Sequence, residues 1–190
     1  MNIDMIAPRP PAADVGTITI AAIKGGRYRL DARQWIPAPL PTVFEFFSDA
    51  ANLDAITPPW LGFRIVTPTP ILMNAGTVID YRISLHGIRL SWRTVIEAFE
   101  PPHRFIDRQV RGPYQLWVHE HLFQEDRGGT TIEDSVTYAP PLRPLGLAWL
   151  AQVCFVRIQL LRIFGYRQRA LASLFGGSLE NEREPTDIAR

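Results

Sequence analysis

Cysteine and lysine are nearly missing from this 190-residue chain, which contains one cysteine and, at Lys24, one lysine. A single cysteine excludes an intramolecular disulfide framework and a cysteine-based zinc cluster, and it is typical of a reducing compartment, so we expect a cytoplasmic protein. Neither sign of charge is in excess, since the chain has 20 basic and 19 acidic residues. This balance argues against a nucleic-acid-binding protein.

Several enzyme signatures are also missing. The chain has no P-loop, no dinucleotide-binding glycine pattern, no GxSxG elbow and no HExxH motif, so nucleotide-dependent, serine-hydrolase and zincin chemistry are not expected. The N-terminus has no basic start followed by an apolar run, which argues against a signal peptide and a membrane anchor. No cofactor is predicted.

The hydrophobic content of 46% is enough for one sizeable core. Residues 1–15 are rich in proline and alanine, and residues 177–190 are polar and charged. Neither end has enough apolar surface to offset the entropy lost on ordering. We therefore expect one domain at residues 16–176 between a disordered leader and a flexible tail.

The order of local patterns predicts an α+β domain. Strand-like runs at 17–20 and 27–36 are joined by a glycine-containing connection that suits a hairpin. A short helix is predicted from Pro41, with Val43, Phe44, Phe46 and Phe47 on its apolar face, and a second at 49–56. Six further runs have the β-branched and aromatic composition of strands: 63–67, 76–86, 88–99, 103–111, 114–124 and 129–139.

The register of one hairpin follows from its turn. A two-residue turn at His86 and Gly87 pairs Tyr81 with Trp92 and Ile79 with Thr94. This pairing places apolar and aromatic side chains on one face of the sheet and polar side chains on the other, as expected when one face is solvated.

A long amphipathic helix is predicted at residues 145–175, where proline is absent and apolar residues dominate. A membrane span at 145–161 is the competing interpretation, but the segment is short for a span and contains Arg157. No acidic residue occurs between Asp134 and Glu180. The cationic segment is therefore a candidate surface for an anionic membrane or a partner.

Three sequence runs carry a resemblance to a known superfamily: DARQWIP at 31–37, VFEFFSD at 43–49 and NLDAITPPWL at 52–61. Together with the order of elements, with GPY at 112–114 and with the QL, IF and YR pairs within 159–167, they resemble the START-like (SRPBCC) superfamily. This superfamily includes bacterial polyketide cyclase/dehydrase and ligand-binding subfamilies. The resemblance covers about residues 17–176.

The resemblance implies a helix-grip (START/Bet v 1-like) fold. In this fold a curved antiparallel sheet, here of about seven strands, wraps one long C-terminal helix, and two short helices follow the first strand. A cavity is expected between sheet and helix. Members of the superfamily include carriers, sensors, hydrophobic-ligand binders and a few enzymes, so the fold does not fix the activity.

A histidine and a carboxylate are predicted to meet inside this cavity. Trp117, His119, His121 and Phe123 share one face of their strand, and a short loop at 126–129 places His121 opposite Asp134. A carboxylate raises the pKa of a neighbouring imidazole and fixes its tautomer, which suits a general acid or base. The alternatives are a polar contact that orients a ligand and a pair that only fixes the strand register.

Further candidate ligand contacts come from each side of the cavity. Asp107 lies beside His119 if the GPY connection is a three-residue loop, but the facing of Asp107 and Gln109 stays open. Arg157 and Arg167 are expected on the helix face toward the sheet, where a guanidinium needs a carboxylate partner or an anionic ligand. The remaining candidates are aromatic: Trp60 at the cavity mouth, and Tyr81, Trp92, Trp117 and Tyr138 on the walls.

His119 and His121 could also bind a metal, because alternate residues of a strand point to the same side. The third ligand would have to be Asp134 or Asp107, and no other histidine or cysteine is positioned by the sequence to complete the site. No metal site is therefore predicted.

We predict a protein that binds a hydrophobic or amphipathic small molecule, such as a lipid, polyketide or isoprenoid-like compound, in an internal cavity. The alternative is a cofactor-independent cyclase or dehydratase in which His121 and Asp134 transfer a proton. A membrane-surface or partner-binding module is the second alternative. The oligomeric state stays open.

Overall fold

Eight strands form one antiparallel sheet in the computed structural model, which describes residues 16–85, 87–140 and 155–176. The strands are β1 (Thr17–Ile23), β2 (Arg27–Ile36), β3 (Arg64–Ile65), β4 (Val78–Leu85), β5 (Ile88–Glu100), β6 (Arg104–Arg111), β7 (Leu116–Asp126) and β8 (Gly129–Ala139). Their order across the sheet is β1-β2-β8-β7-β6-β5-β4-β3. The predicted leader, tail and residues 145–154 of the long helix lie outside the described residues.

Within residues 16–85, 87–140 and 155–176, two α-helices accompany the sheet. Helix α1 spans Leu40–Ser48 and helix α2 spans Arg157–Gly176. The predicted second short helix is a 3₁₀ turn at Ala50–Leu53, capped by the Asp49 side chain, and a second 3₁₀ turn follows at Pro59–Leu61. The regular segment is shorter than predicted, since it ends at Leu53 and is followed by turns up to Pro58.

The helix-grip prediction is confirmed, as a curved antiparallel sheet with one long C-terminal helix. The sheet has eight strands instead of about seven, because the two strand-like runs at 17–20 and 27–36 form separate strands, β1 and β2, joined by the predicted hairpin connection. The predicted register of the β4–β5 hairpin is also confirmed, with Tyr81 opposite Trp92 and Ile79 opposite Thr94.

The core has two parts, and helix α2 contributes to both. Leu171 and Phe175 pack with Val43, Phe44 and Phe47 of α1. Leu160 and Phe164 lie about two to four turns earlier in the helix and pack against Leu30, Trp117 and Val136 of the sheet. Since inward residues recur every three to four positions along α2, one stripe of the helix faces the sheet.

Two glutamines attach helix α2 to the edge of the sheet. Gln34 Nε2 donates to the Gln168 carbonyl oxygen at 2.8 Å. Gln168 Nε2 in turn donates to the carbonyl oxygens of Thr17, at 3.4 Å, and Arg33, at 3.3 Å. Both glutamine side chains are buried, so these bonds satisfy groups that would otherwise cost free energy.

Across the described ranges, no helix is both long enough and apolar enough to cross a membrane. The competing prediction of a span at 145–161 falls mostly on residues outside those ranges.

Gly129, the first residue of β8, gives a test of how tightly the sheet packs. A Cβ atom there would meet the Ile36 carbonyl oxygen and lie 2.6 Å from Trp35 Cζ2. We expect Gly129→Ala to lower the free energy of unfolding by about 1–3 kcal/mol, the usual cost of overpacking. Urea denaturation followed by tryptophan fluorescence measures it. The control is Gly176→Ala, where a Cβ meets nothing within 4 Å and stability should stay the same.

Candidate functional site

A cavity of about 280 Å³ lies between the inner face of the sheet, helix α2 and the segment that contains α1 and the 3₁₀ turns. Small-molecule sites typically enclose about 300–1,000 Å³, so the cavity has the size of a compact ligand. Its walls are mostly aliphatic and aromatic: Phe46, Phe47, Leu53, Ile56, Leu61, Phe63, Met73, Ile79, Tyr81, Ile83, Leu90, Trp92, Ile96, Phe105, Trp117, Leu160, Ile163 and Phe164.

Polar side chains gather on three adjacent strands and one helix. Asp107 on β6 is opposite His119 on β7, and His121 on β7 is opposite Asp134 on β8. Because alternate residues of a strand face the same side, both histidines point inward. Asp107, His119, His121 and Arg167 of α2 line the cavity, and Asp134 lies behind the histidines, where it is 6% exposed.

In this cluster each imidazole lies between two carboxylates. His119 Nε2 hydrogen-bonds with Asp134 Oδ1 at 2.9 Å, and its Nδ1 is 3.5 Å from Asp107 Oδ2. His121 Nε2 hydrogen-bonds with Asp107 Oδ2 at 3.1 Å. Its Nδ1 is 2.8 Å from Asp134 Oδ1 but lacks hydrogen-bond geometry. The two rings lie 3.7 Å apart between centroids.

Burial and these contacts shift the pKa values of the two histidines in opposite directions. Burial lowers the pKa of His119, and the neighbouring His121 lowers it further, which Asp134 and Asp107 do not offset. Burial also lowers the pKa of His121, but the hydrogen bond to Asp107 and the close contact with the Asp134 carboxylate outweigh it and raise that pKa above its usual value. These directions favour a charged His121 and a neutral His119.

Both carboxyl groups are held in the ionised form. Burial would raise the pKa of Asp134, but the charge of Arg167, the hydrogen bond with His119 and the close contact with His121 hold it well below its usual value. The pKa of Asp107 is lowered for the same reason, with His121 as its main partner against burial. With His121 charged, two carboxylates, one imidazolium and one guanidinium leave the cluster neutral.

Arg167 is the least constrained member of the cluster. Its Nη2 lies 3.8 Å from Asp134 Oδ1, which is an ion-pair contact longer than a hydrogen bond. Its guanidinium also lies 5.1 Å from the centre of the Phe47 ring, within cation–π distance. The buried Nε atom has no hydrogen-bond partner in the described part of the chain. Arg167 therefore has donor capacity left for a ligand.

The predicted register of β7 and β8 is confirmed, with His121 opposite Asp134 and Trp117 opposite Tyr138. The facing of Asp107 is settled, since it lies inside beside His119. Seven of the residues predicted to contact a ligand lie on the cavity wall: Tyr81, Trp92, Asp107, Trp117, His119, His121 and Arg167. Their role in binding stays a prediction.

Two predicted residues are buried or engaged elsewhere on the sheet. Gln109 does not line the cavity, because its amide donates to the Tyr114 carbonyl oxygen at 2.6 Å and accepts from the Tyr114 N–H at 3.3 Å. It therefore closes the loop before β7. Tyr138 is fully buried and stacks on Tyr28 at 5.7 Å, so it belongs to the core beside the cavity.

Two other predictions of position were wrong. Arg157 is exposed, and its Nη1 donates to the Ile20 carbonyl oxygen at 3.4 Å. Its position around the helix is the inward one, but at that level the sheet ends at the exposed edge strand β1, so the guanidinium stays in solvent. Trp60 is 44% exposed and packs on Tyr166 and Arg162, outside the cavity.

One wall of the cavity was missed by the sequence analysis. It comes from α1 and the following 3₁₀ turns, whose side chains Phe46, Phe47, Leu53, Ile56 and Leu61 face the sheet. Phe46 and Phe47 belong to the predicted apolar face of α1, but Leu53, Ile56 and Leu61 follow no single helical period, because two separate 3₁₀ turns interrupt the segment. Sequence periodicity therefore could not predict that these five side chains form one wall.

The profile of a family described as "Polyketide cyclase / dehydrase and lipid transport" matches residues 36–160. No curated protein sequence matches the chain significantly. Among solved structures, protein Ms6760 from Mycobacterium smegmatis is 17% identical with a TM-score of 0.61, and the match covers 85% of this chain and 99% of that protein.

A Rhodobacter sphaeroides protein gives a TM-score of 0.60 at 18% identity, covering 85% of this chain and 99% of the other. Major latex-like protein 151 from Panax ginseng gives 0.55 at 12% identity, with 80% and 99% coverage. At these identities the structures share the fold with this chain.

Asp134 tests whether the buried cluster contributes to stability. Replacing it with alanine leaves Arg167 and two buried imidazoles without their shared carboxylate, so Asp134→Ala should lower the free energy of unfolding by about 3–5 kcal/mol. The control is Asp80→Ala, which removes a solvent-exposed ion pair with Arg93 and should cost far less. Urea denaturation compares the two. Equal losses would contradict a structural role for the cluster.

Proposed function

We propose, from the premise that this chain belongs to the polyketide cyclase/dehydrase and lipid transport family, that it binds an amphipathic small molecule in its internal cavity. The support is the cavity itself, whose walls are mostly apolar and which has a polar end with the side chains of Asp107, His119, His121 and Arg167. Further polar residues on its walls are Asp49, Asn52, Thr57, Thr94 and Gln159. The family and the structural neighbours support a fold that binds hydrophobic ligands.

The apolar walls supply the affinity in this proposal. Moving one methylene group from water into such an environment contributes about 0.8 kcal/mol. A ligand with several methylene groups or a fused ring system therefore gains enough to offset the cost of association. Aromatic side chains such as Trp92 and Trp117 offer flat surfaces against which rings or chains can pack.

The polar end supplies the orientation. Arg167 is only loosely paired with Asp134 and keeps unused donor capacity at Nε. An acidic group on the ligand, such as a carboxylate, would accept these hydrogen bonds, and the low local dielectric strengthens them. We therefore propose that the ligand carries an acidic head that lies against Arg167, with its apolar part in the remainder of the cavity.

Proton transfer by His121 is the second candidate function. It is favoured by one observation, that an imidazole held by two carboxylates lies on the wall of a cavity. Against it, both ring nitrogens of His121 already face carboxylate oxygens, so a substrate would have to displace one of them. Binding is accordingly the first proposal. Membrane-surface contact through the arginine-bearing helix stays a prediction.

Filling the cavity should abolish binding. Ile163 lines the cavity from α2, and Ile163→Trp would occupy space that the ligand needs. We expect at least a tenfold weaker affinity for decanoate, measured by isothermal titration calorimetry. The matched control is Ile158→Trp on the same helix, where the side chain is 51% exposed and affinity should not change. Unchanged affinity in Ile163→Trp would place the binding site elsewhere.

Arg167 should discriminate between acidic and neutral heads. We expect Arg167→Gln to weaken decanoate binding about tenfold, or about 1.4 kcal/mol, while the affinity for decanol stays within about twofold. Arg169→Gln, at an exposed position of the same helix, is the control and should change neither affinity. Equal loss of both ligands in Arg167→Gln would contradict a role for Arg167 in recognising the acidic head.

A further inference from the structure

Two imidazole nitrogens face the same carboxylate oxygen in the cavity wall. His119 Nδ1 is 3.5 Å and His121 Nε2 is 3.1 Å from Asp107 Oδ2. One donor atom from each of the three residues lies within 4.8 Å of the others. Around a metal ion with bonds of about 2.1 Å, neighbouring ligand atoms are separated by about 3.0–3.4 Å. The separations from Asp107 therefore need little adjustment to fit one ion.

The other face of both imidazoles meets a second carboxylate. Asp134 Oδ1 lies 2.9 Å from His119 Nε2 and 2.8 Å from His121 Nδ1. Histidines that bind metals usually direct their remaining ring nitrogen to a carboxylate, which fixes the tautomer and the ring orientation. Asp134 occupies this position for both rings, as the hydrogen-bond partner of His119 and as a close contact of His121. It lies behind them, away from the cavity.

We propose that Asp107, His119 and His121 bind a divalent first-row transition metal ion, with Asp134 as the residue that positions both imidazoles. Two imidazoles and one carboxylate suit Zn²⁺ and Fe²⁺, and three protein ligands leave coordination positions open toward the cavity. The sequence left the third ligand undecided between Asp134 and Asp107. The register of β6 against β7 assigns it to Asp107.

The charge of the cluster is compatible with a bound cation. When both imidazoles are neutral, Asp107 and Asp134 carry two negative charges against the one positive charge of Arg167. Arg167 makes its ion-pair contact with Asp134, at 3.8 Å. Asp107 contacts the two histidines and accepts a hydrogen bond from the Thr94 hydroxyl at 3.5 Å, and in the described part of the chain it has no ion pair with an arginine or lysine. Asp107 is thus the carboxylate that an ion can use.

The metal site does not depend on the proposed acidic ligand, so the two proposals can fail separately. The full-length protein is treated with a chelator, dialysed and titrated with Zn²⁺ by calorimetry. We expect one ion per chain with a dissociation constant in the micromolar range or below. Co²⁺, added to the same protein, should give a visible absorption band that Zn²⁺ removes. A folded protein that binds neither ion would overturn the proposal.

Single-residue variants test which side chains bind the metal ion. We expect His121→Gln and Asp107→Asn each to weaken Zn²⁺ binding at least 100-fold, and Asp134→Asn to weaken it about 10–100-fold while the stoichiometry stays at one. His103→Ala, which removes an exposed histidine in the turn before β6, is the control and should bind as the unmodified protein does. Loss of binding in His103→Ala with retention in His121→Gln would show a surface site instead.

A measurement on the unmodified protein covers the case in which a variant does not fold. The chain has 4 histidines, and the ¹⁵N imidazole resonances of two of them should shift when Zn²⁺ is added. Shifts confined to other histidines, or spread over all of them, would contradict the assignment. Repeating the decanoate titration with and without Zn²⁺ then tells whether ligand and metal bind together, independently of whether each binds alone.

Discussion

The buried carboxylate of Asp134 is the constraint on which the interior depends. A charge in this position is tolerated only when it is paired, and its three partners come from two elements: His119 and His121 of the neighbouring strand β7, and Arg167 of helix α2. These contacts join β7, β8 and α2 around one atom. They also fix the orientation of the imidazoles that form the polar end of the cavity.

An apolar cavity and a charged cluster would each be costly alone, and their combination explains the architecture. The cavity walls gain free energy only when a ligand covers them, whereas the cluster satisfies its own charges without a ligand. The polar groups therefore stay in place while the cavity is empty. A ligand meets a preformed set of donors and acceptors and does not need to order them, which lowers the cost of binding.

Most of the strand pairing around this site could be predicted from the sequence, because short turns fix the register of antiparallel strands. Once the turns after β4 and β7 are assigned, the pairs Tyr81 with Trp92 and His121 with Asp134 follow. Contacts between the helix and the sheet are not fixed in this way. The position of Arg157 around α2 is inward, yet whether it meets a wall or solvent depends on where the sheet ends. The same limit applies to Gln109, because its amide hydrogen-bonds with the backbone of Tyr114 in a loop, and loop contacts cannot be predicted from a periodic sequence pattern.

The glutamine pair at the edge of the sheet bears on which side of this interior can accept substitutions. Swinging α2 away from the sheet would break three hydrogen bonds between Gln34, Gln168 and the β1–β2 backbone, so this side of the interior acts as a rigid frame. The opposite side is made by side chains between residues 46 and 73, in a segment with only one two-residue strand. Substitutions there can change the size and shape of the molecule that fits while the frame keeps its geometry, so affinity for new compounds can evolve without a loss of folding.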